Sequence, residues 1–131
     1  MGIIINRKDS FIINCRNGYR LNLRPFEPNI NSTDFYKALL VSISQYSILE
    51  FIGNLMEGQY YINLWAAYFI LDIFQPNINE KLIGMNDKKS IVEECIETVE
   101  RYSVDFGESQ KENYEKWILK VKFRYNIHSI L

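Results

Sequence analysis

The sequence predicts an α+β fold: a small N-terminal antiparallel β-meander packed on a bundle of about four helices. Three observations predict it. The first 24 residues hold short β-prone runs broken by turn residues, the middle carries a long apolar helical pattern, and the C-terminal part repeats apolar residues at helical spacing. A run of strands followed by a run of helices is the α+β order.

Taken in order, Gly2–Asn6, Phe11–Cys15 and Tyr19–Leu23 read as three strands. Lys8-Asp9-Ser10 separates the first two. Asn17-Gly18 separates the second and third, and this dipeptide marks hairpins because both residues tolerate φ > 0. Tyr19, Leu21 and Leu23 alternate with Arg20 and Asn22, the period of a strand with one buried face. Pro25 and Pro28 then end the sheet, since neither can donate to a ladder. Ser32, Thr33 and Asp34 offer capping oxygens to a helix carrying Leu39, Leu40, Ile43, Tyr46 and Ile48, with Gly53 or Gly58 as its end. A helix over 59–74 is stopped by Gln75-Pro76-Asn77, and a short turn or helix falls at 79–84. Asp87 to Ser90 open a helix running to about Ser103, and Gly107 punctuates. The last helix runs from about Glu108 to Arg124, with Tyr114, Trp117, Ile118, Val121 and Tyr125 as its buried stripe. The tail 126–131 reads as strand or loop. The length of 131 residues predicts a single domain, with the meander in 1–24 and the helical part in 31–125.

Composition narrows the class. Apolar residues make up 47% and charged residues 24%, which suits a packed core and not a disordered chain. Cys15 and Cys95 lie far apart and read as free thiols of a reduced cytosol. The start, MGIIINRKDSF, lacks the apolar region of a secretion signal, and Asn6 breaks the myristoylation pattern. Asn31-Ser32-Thr33 fits a glycosylation sequon but reads as a helix entry. The run YYINLWAAYFILDIF is shorter than the roughly 20 residues of a membrane span. Asn63 and Asp72 also interrupt it, so it reads as a buried helix. The expectation is a cytoplasmic protein with no membrane contact.

Catalytic equipment is sparse. The only histidine, His128, stands near the end of the sequence, a poor place for an oriented general base. One histidine and two distant cysteines give no familiar metal spacing, and no phosphate-binding glycine loop occurs. No cofactor is expected. Arg7, Lys8, Arg16, Arg20 and Arg24 oppose only Asp9, and with Phe11 and Tyr19 they would suit an RNA-stacking sheet. The absence of an RNA-binding sheet motif and a net charge of −1 argue against nucleic acid. A hydrolase built on Asp72 and Glu57 is a further class to test by metal-dependent activity screens.

Residues 93–115 are the outstanding feature. Glu93, Glu94, Glu97, Glu100, Asp105, Glu108, Glu112 and Glu115 face only Arg101 and Lys111, a net of about six negative charges. On a helical wheel Glu93, Glu97 and Glu100 share one face, with Glu94 and Arg101 beside them. Ile91, Val92, Cys95, Ile96, Val99 and Tyr102 fill the other arc. Glu97 and Arg101 can pair at i,i+4, worth about a few tenths of a kcal/mol. The remaining acids have no such neighbour, and a concentrated acidic face steers and holds a basic partner. Glu93, Glu94, Glu97, Glu100, Asp105 and Glu108 are the predicted partner-binding residues.

The stretch RLNLRPFEPN followed by DFYKALLVSISQYSILEF resembles immunity proteins of bacterial contact-dependent growth inhibition systems. The matching part is Lys37-Ala38-Leu39-Leu40 and Ser44 to Ser47, although Ile48 stands where the family carries arginine after the serine. The resemblance implies an N-terminal β segment before a helix. It also implies a small cytoplasmic, non-catalytic protein that binds one cognate toxin, often a nuclease, and covers its active site. The alternative class is a scaffold or regulatory interaction domain, homodimeric through the sheet edge or the helix over 59–74.

Overall fold

The computed structural model describes residues 7–82 and 86–127. They form a predominantly helical fold: α1 (Arg7–Arg20), α2 (Asp34–Ile43), α3 (Ile48–Phe51), α4 (Ile62–Phe69), α5 (Ile91–Ser103) and α6 (Glu108–Arg124). Short 3₁₀ segments join them at Ile30–Ser32, Ile52–Met56 and Gln59–Tyr61, and a π-turn at Ile70–Phe74 extends α4. The strand pairing among the described residues is one short antiparallel ladder. It joins β1 (Lys81–Leu82) to β2 (Asn86–Ser90), with Lys81 opposite Ser90.

The α+β expectation with an N-terminal meander is therefore overturned. Phe11–Cys15 lies in α1, Tyr19–Leu23 starts in its last two residues and runs into the turn beyond, and Gly2–Asn6 lies outside the described residues. The physical reason is helical spacing: Phe11 and Cys15, four apart, are both fully buried against the core, whereas Tyr19 and Leu21 are exposed. Asn17-Gly18 makes no hairpin. Gly18 faces α2, and a β-carbon there would collide with the ring of Phe35. The close approach of α1 to α2 is what needs glycine. Ser42, buried on α2, receives hydrogen bonds from Ser10 (3.1 Å) and Asn14 (3.0 Å) on α1.

The strand-like alternation of Tyr19 to Leu23 is a helix terminus. Asn22 adopts a left-handed conformation (φ 58°). The Leu23 amide returns to the Gly18 carbonyl (2.9 Å) and the Asn22 amide to that of Tyr19 (3.1 Å). This is a Schellman cap with asparagine in the glycine position. The end of α6 repeats it: Asn126 has φ 54°, and Ile127 and Asn126 donate to Lys122 (2.8 Å) and Phe123 (3.2 Å). RLNL and RYNI are thus the same stop signal.

The helix expected from Asp34 through Gly53 is broken at Ser44–Ser47. Thr33 caps α2 by accepting from the Tyr36 amide (3.1 Å). Ser47 then opens a second helix with a reciprocal capping box to Glu50. The core is centred on α4, where Trp65, Ala66, Ala67, Phe69, Ile70 and Leu71 are buried. The run YYINLWAAYFILDIF thus supplies much of the interior of the fold, with Ile73 exposed near its end. Among the described residues no single helix is long and apolar enough to cross a membrane.

Helix α6 holds two irregular segments in place. Gln110, buried, donates to the Pro25 carbonyl (2.9 Å), and Asn113 donates to the Phe26 carbonyl (2.9 Å). The loop between α1 and α2, whose prolines cannot build a ladder, finds its partners here. Trp117 donates to the Asp72 carboxylate (3.2 Å), Arg124 to the Leu71 carbonyl (2.7 Å) and Tyr125 to that of Pro76 (2.8 Å). The wide turn at Ile70–Phe74 is thereby clamped. Phe26, left-handed at φ 70°, is driven into an aromatic nest of Tyr68, Phe106, Tyr114 and Trp117, with ring centroids 5.1–5.6 Å away.

Candidate functional site

Helix α5 begins at Ser90, whose hydroxyl accepts from the Glu93 amide (3.1 Å) while the Glu93 carboxylate accepts from the Ser90 amide (3.2 Å). Its apolar arc is as the wheel predicts: Ile91, Val92, Cys95, Ile96 and Val99 are buried. Its acids, however, are largely engaged within the chain. Glu93 serves the cap. Glu94 lies 3.6 Å from Lys89 and 4.0 Å from Arg101. Glu97 is taken by Lys89 from β2, and the hydrogen bond between them holds the Lys89 ammonium above its ordinary pKa. Glu100 pairs with Lys122 of α6 at 3.3 Å. The expected Glu97–Arg101 pair does not form; Arg101 turns to Glu94 and to the Thr98 hydroxyl (3.2 Å).

Asp105 and Glu108 differ. They occupy the corner between α5 and α6, are exposed, and form no ion pair among the described residues. Glu108 sits in the first turn of α6, where the helix dipole favours a carboxylate. The six predicted residues therefore divide: four are used by the fold, and two present free charge.

Beside that corner lies a feature the sequence did not announce. Tyr19 from α1, Tyr60 and Tyr61 from the 3₁₀ segment before α4, and Tyr102 from α5 line an open groove of about 370 Å³ together with Gly58 and Gln59. Tyr19 packs against Tyr60 (5.5 Å) and Tyr61 (5.2 Å), and Tyr61 against Tyr102 (5.7 Å). The Tyr102 hydroxyl donates to Asn63 (2.7 Å), which fixes that ring. Tyr60 (φ 55°) and Tyr61 (φ 58°) are both left-handed. For bulky residues this conformation is a true outlier, costing about 1–3 kcal/mol each. A smaller pocket adjoins the groove through shared Tyr61 and Tyr102, and its wall includes Arg24 and Asp105.

Other candidates for chemistry fare less well. His128 lies outside the described residues. Cys15 and Cys95 are free thiols with no solvent exposure, and burial pushes both pKa values up, away from the reactive thiolate. Asp72 is engaged by Trp117, and the Glu57 carboxylate accepts from the Gln59 amide (3.0 Å). Among the described residues no cluster of three or more His, Cys, Asp or Glu side chains could hold a metal ion. The RNA-stacking sheet has no counterpart, because Phe11 is fully buried and its segment is helical. A second groove, of about 380 Å³, lies between the 26–32 loop and α6.

The tyrosine groove was not legible because its residues come from three separated segments. Comparison of the chain with protein-family models, with curated proteins and with solved structures finds no match.

Proposed function

We propose that the chain is a cytoplasmic, non-catalytic immunity protein that binds a basic toxin domain, a nuclease by class, and neutralises it by occlusion. The observation that carries this reading is the α5–α6 corner, where Asp105 and Glu108 stand exposed without an ion pair among the described residues. A free carboxylate is available to a partner's cations, whereas a paired one must first give up its own. The resemblance of residues 20–29 and 34–51 to growth-inhibition immunity proteins supplies the class. The β segment that this resemblance implied is replaced by α1 among the described residues, so its support rests on the α2–α3 segment.

The structure also sharpens the choice of variant. Reversing Glu93, Glu97 and Glu100 would dismantle the α5 cap and two internal ion pairs along with any interface. Asp105→Lys with Glu108→Lys leaves those intact; the reversal at Glu108, in the first turn of α6, costs about 1 kcal/mol through the helix dipole, which thermal unfolding of the double variant measures. Against a toxin domain from which the wild-type chain protects cells, the double variant is expected to associate about ten-fold more slowly at low salt. Its association should also depend less on ionic strength than the parent's. Stopped-flow binding and growth on toxin co-expression are the measurements. A wild-type chain that gives no protection removes the function, and a double variant with unaltered kinetics removes this corner from the interface.

A further inference from the structure

We propose that the tyrosine groove is the anchor point of the interface and that it seats an arginine side chain of the protein partner. The inference rests on the partner-binding reading above and names the residue type recognised. Three observations carry it. First, the groove wall is made of tyrosine rings from α1, the segment before α4, and α5. Guanidinium groups stack on such faces by cation–π attraction, and interface cores favour tyrosine over acidic residues. Second, the adjoining pocket shares Tyr61 and Tyr102 with the groove and adds the exposed carboxylate of Asp105. An arginine laid along the rings would therefore meet a counter-charge at its tip, in the planar arrangement that suits arginine more than lysine.

Third, the cation already in that pocket is neutralised elsewhere. Arg24 donates through Nε (3.1 Å) and Nη2 (2.9 Å) to Glu27, and Asp105 has no ion pair among the described residues. Arg16 and Arg20 are exposed on α1 on either side of Tyr19 in sequence, so an anionic occupant, a single-stranded nucleic acid, is the competing case.

The probe is the blocked tripeptide acetyl-Gly-Arg-Gly-amide. The neutral isostere with citrulline in place of arginine and the oligonucleotide dT6 serve as comparisons. Tyrosine ring signals are followed by ¹H–¹³C NMR. The arginine peptide is expected to shift the ring signals of Tyr19, Tyr60, Tyr61 and Tyr102 saturably, with citrulline at least five-fold weaker. Asp105→Asn should weaken the arginine response several-fold. Tyr60→Gly removes one ring at a position whose φ suits glycine, so it should keep cooperative thermal unfolding while losing much of the response. Equal responses to arginine and citrulline, shifts confined to residues outside the groove, or tighter saturation by dT6 would each overturn the assignment. The peptide titration needs no toxin. A groove that ignores arginine in a chain that still protects cells removes this inference alone, and a chain that binds the peptide yet fails to protect removes the toxin reading alone.

Discussion

Phe26→Ala is expected to lower the stability of the fold by about 3–5 kcal/mol, the range for removing a buried phenylalanine. The ring is 5% exposed and touches four other aromatic rings drawn from α4, the α5–α6 corner and α6. Its loss would leave a cavity among rigid rings that cannot close around it. The backbone adds a signature. At φ 70° alanine carries the same left-handed penalty as phenylalanine, but glycine does not. Phe26→Gly should therefore be less damaging than Phe26→Ala by about 1 kcal/mol, the reverse of the order in a helix or strand. Urea unfolding of the two variants measures the difference. A glycine variant no more stable than the alanine one would show that the loop relaxes its backbone once the ring is gone.

Gln110→Leu should cost about 1–3 kcal/mol, the penalty for leaving a buried polar group without a partner. One side chain here does two tasks. Its amide nitrogen satisfies the Pro25 carbonyl, and its oxygen accepts from the Gly107 amide at the start of α6 (3.3 Å). Leucine fills a similar volume and performs neither. Gln110→Glu is expected to be worse still, because it keeps the acceptor for Gly107, loses the donor for Pro25 and buries a charge at a position 2% exposed. Thermal unfolding with a neutral Leu variant would mean that water enters to serve the carbonyl.

These two positions also show what the sequence conveyed and what it withheld. Prolines 25 and 28 marked an irregular segment correctly, but nothing local says that α6 supplies its hydrogen bonds from 85 and 87 residues away. Helices α5 and α6 were legible to their ends because each combines an apolar period with a terminal signal: Ser90 and Glu93 at one start, Gly107 at the other. Helix α1 was misread for a specific reason. Its isoleucines and Asn17-Gly18 carry β-type local preferences, and its anchors Phe11, Cys15 and Gly18 reveal their helical spacing only once α2 is placed against them. The break at Ser47 was legible in principle, since Ser47 and Glu50 have capping-box spacing.

The acidic surface divides along the same line. Its location on the outer side of α5 followed from periodicity. Its effective charge did not, because Lys89 reaches Glu94 and Glu97 from β2, and Lys122 reaches Glu100 from α6. Charge counted along the chain overstates what a partner would meet on α5 and understates the importance of Asp105 and Glu108.

The two sealed thiols make the chain its own unfolding gauge. Cys15 and Cys95, the only cysteines of the sequence, sit on α1 and α5 with no exposed surface. A disulfide-exchange dye such as dithionitrobenzoate can reach them only when these helices lift from the core, so its rate in buffer should follow the opening equilibrium and rise steeply with urea. Prompt reaction of both thiols in the native protein would contradict that seal. With both protected, a cysteine placed at exposed Glu112 becomes the one ready handle for a fluorophore, and single-site labelling needs no prior removal of the native pair.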